Sequence, residues 1–121
     1  MSQAHEFQVE KQDRSAEGAV VYRFGGVMGE SQHCYHFFEQ FVEDLPSAPD
    51  RIVFNLGGLE NMFSSGIGIM ANCYTKATEA QKSLVLSEVP DVIHRTLTIT
   101  GIQPMLKQYP SDDEAVAAPR D

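Results

Sequence analysis

The sequence is short of cysteine and of positive charge, and it contains no long apolar run. Its two cysteines, Cys34 and Cys73, fall in segments with helical spacing and read as reduced core or boundary residues rather than as a disulfide. Lys and Arg total 9 against 17 Asp and Glu, a net charge of −8. That balance argues against sequence-independent binding to nucleic acid or anionic lipid, which needs a basic footprint, and favours a basic protein partner. The apolar runs are far too short to span a bilayer. The N-terminus, with Glu6 and Glu10 near it and no apolar h-region, does not read as a signal peptide. The expectation is a cytoplasmic protein without membrane insertion. Neither a Gly-x-Ser-x-Gly nucleophile elbow nor a Gly-x-x-x-x-Gly-Lys-Ser/Thr phosphate loop occurs, which disfavours a serine hydrolase and a nucleotide hydrolase. Gly25, Gly26 and Gly29 are too irregular for a dinucleotide fingerprint and read as a turn.

What is present fits one globular unit. A chain of 121 residues buries roughly two-thirds of the surface it exposes when unfolded, so no staple is required. A hydrophobic share of 42% with 21% charged residues is that of an ordinary folded domain. Residues 1–6 are polar and read as frayed. The alternation Phe7-Gln8-Val9-Glu10 suggests a half-buried edge strand, Asp13 to Gly18 a turn, and Ala19 to Phe24 a second strand. Ser31 is placed to cap a helix reaching Leu45, with Phe37, Phe38, Phe41, Val42 and Leu45 on one face, and Pro46 and Pro49 end it. Arg51 to Asn55 reads as a short buried strand broken by Gly57-Gly58. A helix to about Ala80 follows, with Ile67, Met70, Cys73, Tyr74 and Ala77 facing a sheet. Ser83 to Ser87 is a further core strand. Pro90 opens a short helix with Val92, Ile93 and Leu97 on its apolar side, and Gly101 closes it. Met105 to Tyr109 reads as a last strand, and Asp112 to Ala118 as a short acidic helix. This order predicts a mixed, mostly parallel sheet covered by crossover helices, an α/β fold.

The stretch Asn61-Met62-Phe63-Ser64-Ser65-Gly66-Ile67-Gly68-Ile69-Met70 stands at a strand-to-helix junction. Ser64 is placed as the helix cap, where free backbone amides and the helix dipole favour a negative group, including a phosphate on its own hydroxyl. Gly66 and Gly68 leave room for another surface to approach, at some loss of helix propensity; the plainer alternative is a capped helix with two tolerated glycines. Met62 and Phe63 are core residues or, if they face outward, interface anchors. His33-Cys34-Tyr35-His36 carries metal-ligating residue types about one turn apart. Structural zinc sites show paired ligand clusters, however, and none is visible, so this segment reads as the polar start of an amphipathic helix, with no metal and no cofactor. The four histidines, His5, His33, His36 and His94, offer no specific base for a serine nucleophile.

The strand Ile52-Val53-Phe54-Asn55-Leu56, the following Leu59 to Gly68, and Val89-Pro90-Asp91-Val92-Ile93-His94-Arg95-Thr96-Leu97 with Gly101-Ile102 resemble the STAS domain of bacterial anti-sigma factor antagonists. The similarity runs from about residue 7 to 116 and implies one STAS-like domain over residues 1–121. In that family the strand ends in Asp-Ser-Ser-Gly-Leu-Gly or a close relative. The first Ser is phosphorylated by a kinase that is itself the anti-sigma factor, and a phosphatase reverses the change. The resemblance therefore implies a non-enzymatic, partner-switching regulator of transcription whose phosphoacceptor is Ser64. It implies a partner surface shaped by Ser65, Gly66 and Gly68, and the expected face extends to Met62 and Phe63 and to Gly26 and Gly29, because two Gly-containing loops at strand-to-helix junctions of a largely parallel sheet can lie together at one edge. The implied partners are an anti-sigma factor or serine kinase-like protein and a serine phosphatase. Phe63 stands where the family commonly has Asp. The alternative is a STAS module that is not phosphorylated and serves as a scaffold or as a subunit of a larger regulatory or transport assembly.

Overall fold

The computed structural model describes residues 5–101 and 105–119. Two strands open the chain, β1 (Gln8–Arg14) and β2 (Ala19–Met28), joined by a 3-10 turn over Ser15–Glu17 and paired antiparallel, Val9 opposite Phe24. Helix α1 (Gln32–Asp44) leads to β3 (Arg51–Met62), α2 (Ser64–Glu79) to β4 (Ser83–Ser87), and α3 (Asp91–Thr100) to β5 (Gln108–Tyr109), before the short α4 (Asp112–Ala117). The strands form one five-stranded sheet in the order β1-β2-β3-β4-β5, with every pair after the first parallel. Helical connections between parallel neighbours produce this arrangement, and they bring the C-terminal ends of β2, β3 and β4 to one edge of the sheet.

The two faces of the sheet differ in chemistry. One carries Val20, Tyr22 and Phe24 of β2, Ile52, Phe54 and Leu56 of β3, and Leu84 and Leu86 of β4, and these share a core with buried residues of α1, α2 and α3. Six aromatic rings knit it together, from Phe24 and Phe54 at 4.8 Å between centroids to Phe7 and Phe37 at 5.9 Å. Burial pushes the Tyr22 phenol up to about 12 and raises the Cys73 thiol far above its ordinary range. On the other face Val21, Val53 and Val85, in register across the sheet, pack with Ala115 of α4.

Several boundaries differ from those the sequence suggests. β2 continues through Gly25 and Gly26 to Met28, and β3 through Gly57 and Gly58 to Met62. These glycines do not end the strands because the two extensions pair with each other, Gly25 with Gly58 and Met28 with Met62. The pairing shifts register at Arg23/Gly25 and at Gly26/Val27, as at a β-bulge. β1 reaches Arg14 rather than stopping at Glu10, whereas the last strand shrinks to Gln108–Tyr109. Val92 is exposed at 42% rather than on the apolar side of its helix. The expectation of frayed residues at the start of the chain falls, for residues 1–4, outside the described residues.

Candidate functional site

The site is built where β3 ends. Phe63 keeps extended geometry (φ −101°, ψ 177°), and its amide donates to the Met28 carbonyl at 2.8 Å, so the ladder between β2 and β3 holds the chain straight up to this residue. The Phe63 carbonyl then accepts the first helical bond, from the amide of Ile67 at 3.0 Å. Phe63 is therefore the N-cap, and Ser64 is the first residue inside α2. This corrects the assignment of Ser64 as the cap. The cap side chain is a phenyl ring, and no side chain hydrogen-bonds the amides of the first turn. By contrast α1 has a polar cap, Ser31 accepting from the Cys34 amide at 3.2 Å.

Ser64 is exposed and Ser65 half-buried. Phe63 shows 55% of its surface to solvent. Gly68 is exposed on the helix, and a Cβ built there meets nothing within 4 Å. Phe63, Ser64, Ser65 and Gly68 are thus available together. The other residues expected on the partner face are not. Met62 is 3% exposed and belongs to the core, because strand alternation turns it inward while Phe63 turns out. Gly66 is buried, and its missing side chain serves an internal contact: a Cβ there would lie 2.4 Å from the Met28 carbonyl oxygen. Gly26, at φ +78°, is covered by the chain's own N-terminal segment, 2.1 Å separating a Cβ from the Glu6 carbonyl oxygen. Gly29 is buried against Phe63, whose ring would be 3.3 Å from an added Cβ.

Phe63, which precedes Ser64, lines a cleft together with Glu6 and Glu30. The carbonyl of His5 accepts from the Val27 amide at 3.1 Å, which lays residues 5–7 beside the end of β2. Here the His5 imidazole contacts the Glu60 carboxylate, and His33 stands 3.6 Å from Glu6. Glu30 is exposed on the β2–α1 connection, Glu88 on the β4–α3 connection, and Asp91 in the first turn of α3. His94 lies elsewhere, its Nδ1 at 3.0 Å from Gln108 Oε1. Among the described residues no group of His, Cys, Asp and Glu is arranged to hold a metal.

A second polar centre, unforeseen from the sequence, lies under α4. Arg23, Asn55 and Ser87 are in register on β2, β3 and β4, and all three converge on Asp112. Asn55 donates to Oδ1 at 2.9 Å, Ser87 to the same oxygen at 2.6 Å, and Arg23 meets Oδ2 at 2.6 Å. Asn55 also accepts from the Gly57 amide at 2.8 Å, joining this centre to the Gly57-Gly58 stretch from which β3 runs on to Met62. The available signal was that Asn55 and Ser87 interrupt otherwise apolar strands, which a buried polar partner explains.

The STAS domain family model matches residues 5–115. No curated protein sequence matches the chain. Among solved structures, an anti-sigma factor antagonist from Mycobacterium paratuberculosis superposes with a TM-score of 0.79 at 21% identity, over 96% of both chains. The Bacillus cell fate determinant SpoIIAA in its phosphorylated form matches at 0.66 with 20% identity, over 92% of this chain and 96% of that one. A sulfate transporter family protein from Wolinella succinogenes matches at 0.67 with 15% identity, over 83% of each. At these identities the likeness establishes the fold.

Proposed function

The chain belongs to the STAS domain family, and from that premise we propose that it is a non-catalytic, protein-binding switch of the anti-sigma factor antagonist type. In this reading the unmodified domain binds a kinase-like anti-sigma factor, phosphorylation of Ser64 releases it, and a phosphatase restores binding, so that transcription follows the partner's occupancy. The setting is the bacterial cytoplasm; among the described residues no helix is long and apolar enough to cross a membrane.

The observation that carries this reading is the placement of Ser64. Its side chain is exposed as the first residue of a 16-residue helix, at the sheet edge where the parallel strands end, next to an exposed aromatic ring. A phosphate there adds about −1.5 to −2 charges. The helix itself tolerates that charge, since it sits at the positive end of the dipole among uncapped amides. The effect therefore falls on the partner, whose surface would meet or desolvate the phosphate.

Phosphotransfer from the cognate kinase, followed by mass spectrometry, tests the acceptor; modification should vanish in Ser64→Ala. Binding of the same partner should weaken at least about tenfold in Ser64→Glu, or about 1.4 kcal/mol, and much less in Ser64→Ala. Equal losses in the two variants would refute an electrostatic switch. Phe63, in the N-cap position where the family commonly has Asp, favours one other reading, a STAS module that binds but is not phosphorylated, as in a scaffold or a larger regulatory or transport assembly. In that case the kinase leaves Ser64 unmodified while the partner still binds.

A further inference from the structure

We propose that the cleft beside Phe63 receives a cationic side chain, an arginine, from the partner's docking surface. The inference deepens the switch reading, on which it rests for the partner, by naming the chemistry of the contact. The cleft measures about 320 Å³, and Val27, Gly29, Phe63, Glu6, Glu30 and His33 are among the residues that line it. The ring is not a loose surface group. Its backbone amide is tied to Met28 and a Cβ built on Gly29 would lie 3.3 Å from the ring, while 55% of the residue faces solvent.

An apolar anchor is the ordinary occupant beside an exposed aromatic ring, but the charges here disfavour one. The side chain of Glu6 is 85% exposed, Glu30 is exposed, and His5, which also lines the cleft, contacts the Glu60 carboxylate. An apolar side chain seated on Phe63 would strip water from these carboxylates and give nothing back. A guanidinium gives both: its plane stacks on the ring and its N–H groups pair with carboxylates. Among the described residues no lysine or arginine lines the cleft. The chain's own cations near the sheet are engaged elsewhere, Arg23 with Asp112 and Arg14 with Glu17 and Asp113. The groups facing Glu6 and Glu60 are the imidazoles of His33 and His5. With a net charge of −8 on the chain, a basic partner surface is complementary to this edge.

The test uses the whole chain, labelled with nitrogen-15, and two short probes, acetyl-Gly-Arg-Gly-amide and the same peptide with citrulline in place of arginine. Citrulline keeps the shape and removes the charge. The arginine peptide should give saturable amide shifts centred on Gly29, Glu30 and Phe63, at an affinity near the millimolar range, at least about threefold tighter than the citrulline peptide. Phe63→Leu and Glu30→Gln should each weaken it, with the rest of the spectrum unchanged as evidence of an intact fold. Equal response to both peptides, no response, or shifts spread over unrelated carboxylates such as Asp50 and Glu79 would overturn the proposal. The titration needs neither kinase nor phosphate. Failure here leaves the Ser64 switch standing, and failure of phosphotransfer leaves the cleft standing.

Discussion

The side-chain amide of Asn55 donates to the carboxylate of Asp112 across 57 positions of sequence, at 2.9 Å, with both residues buried. This bond fastens α4 to the middle strand, and the same carboxylate holds Ser87 and Arg23. Removing the acid takes the acceptor from two buried donors, Asn55 and Ser87, while the half-exposed Arg23 keeps its bond to Gln12, and an orphaned buried polar group is far more unfavourable than an absent pair. Asp112→Ala should lower unfolding stability by about 2–4 kcal/mol. Combined with Asn55→Ala in a double-mutant cycle, it should show a coupling of about 0.5–3 kcal/mol. Urea denaturation measures both, and strict additivity would mean that the bond contributes nothing specific.

Gly66 and Gly68, two positions apart on one helix, should respond to alanine with opposite signs. At Gly66 the new methyl meets a backbone carbonyl at 2.4 Å, which cannot retreat without separating α2 from β2, and a loss of about 1–3 kcal/mol is expected. At Gly68 nothing lies within 4 Å, and alanine should gain up to about 1 kcal/mol of helix propensity. If Gly68→Ala stabilises the domain yet weakens partner binding, the open space at Gly68 belongs to the interface. Thermal melts and partner titrations of the two variants read this directly.

Phe63→Asp should separate stability from binding. An aspartate at the N-cap can accept from the first-turn amides, which have no side-chain partner now, so stability should rise by about 0.5–1 kcal/mol. The ring is lost from the surface, so partner affinity should fall. Phosphorylation of Ser64 should become faster, because the carboxylate offers a kinase a recognition charge and a hydrogen-bond acceptor beside the acceptor hydroxyl. A variant that is no more stable, no weaker in binding and no faster in phosphotransfer would reduce Phe63 to a packing residue.

Alkaline pH should unfold the protein through its core. The Tyr22 phenol lies at about 12 in the folded chain against 10.0 as its ordinary value. A group raised on folding contributes stability that is complete below its unfolded pKa and is lost as pH climbs toward the folded one. Between about pH 10 and 12 the unfolded chain has given up a proton that the folded chain retains, so stability falls by about 1.4 kcal/mol per pH unit for one such group. Cys73, raised in the same sense by burial, starts the decline from its own lower unfolded pKa. Denaturant titrations over this range should show a shallower slope in Tyr22→Phe than in wild type, and an unchanged slope would contradict the burial of the phenol.

Local sequence pattern was enough to set the order of the elements, the class of sheet and the position of the strand-to-helix junction before Ser64. These depend on local physics: alternation marks a strand, the three-to-four spacing of Phe37, Phe41 and Leu45 marks a helix face, and Ser31, Pro90 and Gly101 mark ends. Tertiary structure decided what local physics leaves open. Gly57-Gly58 reads as a break until a neighbouring strand supplies partners for its backbone, and then the strand runs on to Met62. Ser64 has the residue type of a cap, yet the bond from the Phe63 amide to Met28 keeps the chain extended one residue further, and a phenylalanine takes the cap position. That same register turns Met62 inward and Phe63 outward, and it spends the missing side chain of Gly66 on contact with β2. Asp112 reads as one acid among several in a short acidic helix. Only the pairing of β2, β3 and β4 brings Arg23, Asn55 and Ser87 into one row, because a contact between residues far apart in sequence has no local periodicity to announce it.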